Sequence, residues 1–122
     1  MIKIAVFLPI GIYERGCSSM KNHIHQQLND IVKNYFLCKK QFSIMSFSSG
    51  QINYSNPYYI YYRDVEIALQ KLEDEERLII KNDYFNDVPR LWWRKFFSHE
   101  EYSLFKRAAI KNFVRLFHEI HY

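Results

Sequence analysis

The sequence predicts a small all-α protein, and three observations carry that prediction. Apolar residues recur at three- and four-residue spacing in two long stretches, 24–36 and 102–117, the mark of helices with one buried face. Ser98-His-Glu-Glu101 is a capping box, in which the serine hydroxyl takes the third helical N–H and Glu101 reaches back to the serine N–H. Three glycines stand against ten tyrosines and ten phenylalanines, so the chain has few special turns and many large side chains to bury. At 122 residues one domain is the default, and with 48% apolar residues disorder is excluded.

In chain order, residues 2–8 are β-branched and apolar, a short N-terminal strand or an arm laid over the helices, ended by Pro9 and Gly11. One lysine precedes its apolar run and no small-x-small site follows, which argues against a secretory leader. Ser18 or Ser19 caps a helix running to about Cys38, with Ile24, Leu28, Ile31, Val32, Tyr35 and Phe36 inward. Gln41–Asn56 is rich in Ser and Asn and reads as irregular, or as a weak hairpin around Gly50. Pro57–Tyr62 reads either as a short strand or as a packed linker. Asp64 opens a helix through about Leu72, and Asp74 caps the next, with Leu78, Ile79, Tyr84 and Phe85 inward. Asn86-Asp-Val-Pro89 breaks it, and Pro89 sits well at the start of a short aromatic helix to Phe96. The long helix after Ser98 follows, buried through Tyr102, Phe105, Ala109, Phe113, Leu116 and Phe117. The division expected is an arm and helix over 1–58 and a helical unit over 59–122, joined as one body.

Charge divides the chain. Residues 63–87 hold four bases against eight acids, whereas 88–115 hold seven bases against Glu100 and Glu101, and 1–62 hold six against two. The net charge of +4 permits a nucleic-acid partner without requiring one. Cys17 and Cys38 are far apart and make no disulfide framework, which fits a reduced, cytoplasmic setting. No stretch approaches the ~18 apolar residues of a membrane span.

Ala68-Leu-x-x-Leu72-x-x-x-Glu-Arg77-x-Ile-Ile80, followed by the capped helix, resembles the fourth region of bacterial sigma factors and related phage late-gene activators. In that pattern a helix of this kind precedes a helix-turn-helix. Counting from Ser98 as the turn serine, apolar residues are wanted four, seven, eleven and fifteen positions on, and Tyr102, Phe105, Ala109 and Phe113 stand there. The likeness covers about 61–117. It departs from the pattern at Trp92, where a small residue is usual, and at Lys95-Phe96, where Leu-Gly is usual. The chain is also similar to small Asn/Lys/Tyr-rich proteins of mycoplasmas and spiroplasmas. The resemblance implies a C-terminal helix-turn-helix whose recognition helix spans about 99–117. His99, Glu100, Ser103, Lys106 and Arg107 would face the major groove, and RNA polymerase would be a possible partner of the acidic helices.

The residues support the same chemistry independently. A basic helix can place Arg107 on a guanine edge while Arg94, Lys95, Lys111 and Arg115 neutralise phosphates of duplex DNA. Against this, lysines and arginines are also the ordinary solvated face of an amphipathic helix. In that case the chain is a helical adaptor, docking a protein through Glu75 and Glu76 or through Trp92 and Trp93, residue types enriched at interfaces in the case of Trp. Adjacent tryptophans point about 100° apart on a helix, so one is expected in the core and the other partly exposed. Cys17, His23, His25 and Cys38 are zinc-type ligands at no standard finger spacing. Neither a catalytic constellation nor a glycine-rich phosphate loop is recognisable, so no enzyme activity, cofactor or metal is expected.

Overall fold

The computed structural model describes residues 19–51 and 53–122, and among these it contains four α-helices and no strand. The N-terminal strand or arm expected over residues 2–8, and Cys17, lie outside the described residues.

Helix α1 spans Ser19–Ser49 and runs past its expected end at Cys38 through the Ser/Asn-rich stretch. Phe42 explains the extension, because its ring lies 4.9 Å from that of Tyr59 and gives the added turns something to pack on. Gly50 is a helix stop rather than a hairpin centre: its φ is +74° and its N–H returns to the Ser46 carbonyl at 2.9 Å.

Helix α2 spans Pro57–Gln70, so neither a strand nor a linker forms at Pro57–Tyr62, and the helix begins a full two turns before Asp64. The Asn56 side chain accepts the Tyr58 N–H at 2.8 Å and Pro57 occupies the first helical position. The tyrosines that argued for a strand are accommodated because Tyr61 is buried in the core and Tyr58 and Tyr62 pack at its edge. Tertiary burial overrides their weak helix propensity.

Helix α3 spans Asp74–Ile80, with Glu73 rather than Asp74 at the N-cap. Asp74 is drawn instead to Arg77, at 2.9 Å. A π-helical turn, Lys81–Phe85, follows directly and is closed by the Asn86 N–H on the Lys81 carbonyl at 2.7 Å. The short helix expected from Pro89 is a single 3₁₀ turn, Trp92–Lys95. Helix α4, His99–His121, starts with both arms of the predicted capping box, Ser98 Oγ to the Glu101 N–H at 3.1 Å and the Glu101 carboxylate to the Ser98 N–H at 2.9 Å.

Helix α4 touches all three other helices, and α1 packs on α2 and α4. The most deeply buried side chains come from every helix: Leu28 and Cys38, Val65, Ile79 and Ile80, Phe113 and Phe117. One core therefore runs across residue 58. The motif residues Ala68, Leu69, Leu72, Ile79 and Ile80 are all core. Within the predicted faces, Phe36 is the exception at 44% exposed, and Ile80 is buried where Leu78 was expected. Burial pushes the Cys38 thiol above its ordinary value, which keeps it protonated and unreactive.

Arg77, the remaining member of that motif, ties α3 to the end of α2. Its guanidinium donates to the carbonyls of Leu69, Gln70 and Leu72 at 3.0, 3.1 and 2.7 Å. These include the last carbonyls of α2, which carry the helix's negative pole. An ammonium group cannot reproduce this planar fork. R77K should lower the urea-unfolding free energy by about 1–3 kcal/mol, the loss of two or three charge-assisted bonds.

The C-terminal turn is held by a second polar contact. Asp64 is buried within α2, and its carboxylate is shared between Arg63 at 2.9 Å and His121 Nδ1 at 2.8 Å. Nearby, burial, with His121 as a lesser cause, holds the His118 imidazole below its ordinary value of 6.5. The folded protein thus resists a proton that the unfolded chain accepts. The His118 contribution is fully present above pH 6.5 and is lost as pH falls below it. H118Q should accordingly lose less stability than the native chain between about pH 7 and 5, measured by urea titration at each pH.

Candidate nucleic-acid interface

Helix periodicity sorts the side chains of α4 into two lines. Ala109, Phe113, Val114 and Phe117 are buried, whereas Glu100, Leu104, Arg107, Lys111 and Arg115 form an exposed stripe on successive turns. Arg107 and Lys111 pair with no acid among the described residues, and Arg115 meets Glu119 across 3.1 Å of exposed surface. That last pair is solvent-screened and holds the guanidinium only weakly. Leu104, 63% exposed, sits among these cations and was not singled out by the sequence. Arg94 and Lys95, at the end of the 3₁₀ turn, are exposed just ahead of the helix. His99 is exposed with its ring edge 5.9 Å from Trp93, and Ser103 is half-buried.

Lys106 does not join the stripe. Its ammonium lies 3.2 Å from the Asp83 carboxylate, 3.3 Å from the Tyr102 hydroxyl and 5.5 Å from the ring centres of both Tyr84 and Tyr102. The groove-facing role expected for it is therefore corrected: four favourable contacts hold it inward.

Those contacts belong to a clasp centred on Asp83, whose side chain is only 12% exposed. One carboxylate oxygen accepts the Trp92 indole N–H at 2.8 Å, and the other accepts the Tyr102 hydroxyl and faces Lys106. Burial first, and the bond to Asp83 second, push the Tyr102 phenol well above its ordinary value. Trp93 stacks flat on Tyr102 with ring centres 4.5 Å apart. Trp92 meets Tyr102 edge-on, with ring centres 6.4 Å apart. Both tryptophans are half-buried and neither enters the core, contrary to the expectation of one inside and one outside. The helical 100° offset behind that expectation does not hold in a 3₁₀ turn.

No family model, curated protein or solved structure matches this chain.

The acidic stretch reads differently once its partners are known. Asp64 and Asp83 are engaged as described, Glu66 accepts the Tyr35 hydroxyl, Asp74 meets Arg77, and Glu76 accepts the Asn112 amide at 2.9 Å. Of the two glutamates expected to dock a partner, Glu76 joins α3 to α4 while Glu75 remains exposed. Among the described residues, His23, His25 and Cys38 form no metal-type cluster of three or more groups, and Cys17 lies outside the description. No helix among these residues is long and apolar enough to cross a membrane.

The Asp83 clasp had no local sequence signal, because its donors lie nine, nineteen and twenty-three positions away. D83A would strand the Trp92 and Tyr102 donors and the Lys106 ammonium, and should cost about 2–4 kcal/mol in denaturant unfolding. D83N, which keeps an acceptor, should cost less.

Proposed function

We propose that this chain binds duplex DNA through the outward stripe of α4 and acts as a transcription regulator. The observation that carries the reading is the alignment of Arg107, Lys111 and Arg115 on successive turns, all three exposed among the described residues. Four residues advance a helix by about 6 Å, so these three cations form a rigid row about 12 Å long. A B-DNA major groove is about 12 Å wide and admits one helix, whose flanking cations then reach the phosphates. Arg107 sits nearest the start of the row and is the candidate for guanine. Lys111 and Arg115 follow it along the helix, and Arg94 and Lys95 precede it, all of them as phosphate contacts. His99 and Glu100 complete the exposed first turn. Lys106 drops out of the reading set.

The resemblance to sigma-factor region four agrees with this placement, with one modification. The element ahead of α4 is one 3₁₀ turn held by Asp83, not a packed first helix. The adaptor alternative, docking RNA polymerase or another protein through the acidic helices, is less well supported, since five of the eight acids in 63–87 already serve internal partners.

Fluorescence anisotropy on duplex DNA as a function of salt tests the reading. The native chain should lose affinity steeply as salt rises, and K111A should shrink the log–log slope by about 0.9 while weakening all sequences alike. R107A should cost about 1–3 kcal/mol on the preferred sequence and flatten the preference itself. K106M should leave the salt slope unchanged, because Lys106 is held by Asp83 and lies off the stripe. A native chain with a flat salt response would overturn the proposal.

A further inference from the structure

The exposed positions of α4 are filled by charged or polar side chains with one exception, Leu104. This leucine belongs neither to the core nor to the apolar residues packed against it. At about 100° per residue, Ala109, Phe113 and Phe117 lie roughly 140–180° away around the helix axis. By the same count Lys111 and Arg115 stand within about 20° of Leu104, and Arg107 within about 60°. The leucine therefore extends the row of cations by one position, about 4.5 Å along the axis ahead of Arg107. Glu100 lies one turn further toward the helix start.

A single exposed leucine is ordinary on a protein surface. In line with three exposed cations it acquires a use once the row lies in a groove. Leucine offers neither donor nor acceptor, so it gains only where water is driven from between two apolar surfaces. The floor of the major groove is polar except for the 5-methyl group of thymine. Against the edge of guanine, adenine or cytosine, the same side chain would cover hydrogen-bonding groups and leave them without partners. One residue type thus both favours thymine and disfavours the other bases.

We infer that Leu104 is a specificity residue of this interface and reads the 5-methyl group of a thymine, within about two base pairs of the edge that Arg107 meets. The inference rests on the DNA-binding reading of α4. It adds what Lys111 and Arg115 cannot supply, since phosphates are alike in every sequence.

The test begins with the full chain enriching its preferred duplex from a random-sequence pool. Each thymine of that duplex is then replaced singly by uracil, which keeps the base pairing and removes only the methyl group. Fluorescence anisotropy reports the binding. Uracil at the contacted position should weaken the native chain about fourfold, the effect of one apolar carbon leaving a buried contact. L104A should weaken the thymine duplex by a similar factor with unchanged Tm, because the position is exposed. It should also cease to distinguish thymine from uracil there, which identifies the pair in contact. L104M, which keeps an apolar side chain, should retain the distinction. Salt dependence is recorded on the same duplex. Steep salt dependence with every thymine replaceable, or an L104A that still discriminates thymine from uracil, would overturn this inference and leave the DNA reading standing. Absence of duplex binding would overturn both.

Discussion

The presentation of α4 depends on one carboxylate. Asp83 holds the indole of Trp92, the phenol of Tyr102 and the ammonium of Lys106, and so joins the π turn, the 3₁₀ turn and the start of the long helix. A half-buried anion is tolerated only because each oxygen is met by a donor. The π turn supplies its position: the wider turn at Lys81–Phe85 continues α3 directly and carries Asp83 toward α4. Without that clasp, the tryptophan segment would have no polar tether to the helix it precedes.

The electrical division of the chain takes on a structural meaning from the same contacts. Asp64, Glu66, Glu76 and Asp83 turn to histidine, arginine, tyrosine, asparagine, tryptophan and lysine partners, whereas Arg107, Lys111 and Arg115 of α4 remain outside. The exposed row on α4 is therefore locally basic in a chain of net charge +4. Long-range attraction of a polyanion follows from the surface distribution of charge.

The all-α class, the capping box and the buried line of α4 were legible because each is a local pattern with a period or fixed spacing. The extent of α1 and the start of α2 were not, because both hinge on contacts between Phe42, Tyr54 and Tyr59, which are distant in sequence or ambiguous in propensity. Arg77 belongs to the Ala68–Ile80 pattern, yet its work, collecting the carbonyls that end α2, becomes visible only when the turn at Leu72 brings it back. For the candidate interface, Arg107, Lys111 and Arg115 could be placed on the exposed face by counting. Lys106 could not, since its angular position on the helix is shared by solvent and by Asp83. Only the fold decides between them.

The bond between Asp64 and His121 spans 57 positions. A ribosome makes the aspartate first, so α2 leaves the exit tunnel carrying a carboxylate that must stay hydrated until the distal turn of α4 arrives. Enclosure of that carboxylate by the distal turn of helix α4 therefore follows its synthesis by at least those 57 positions.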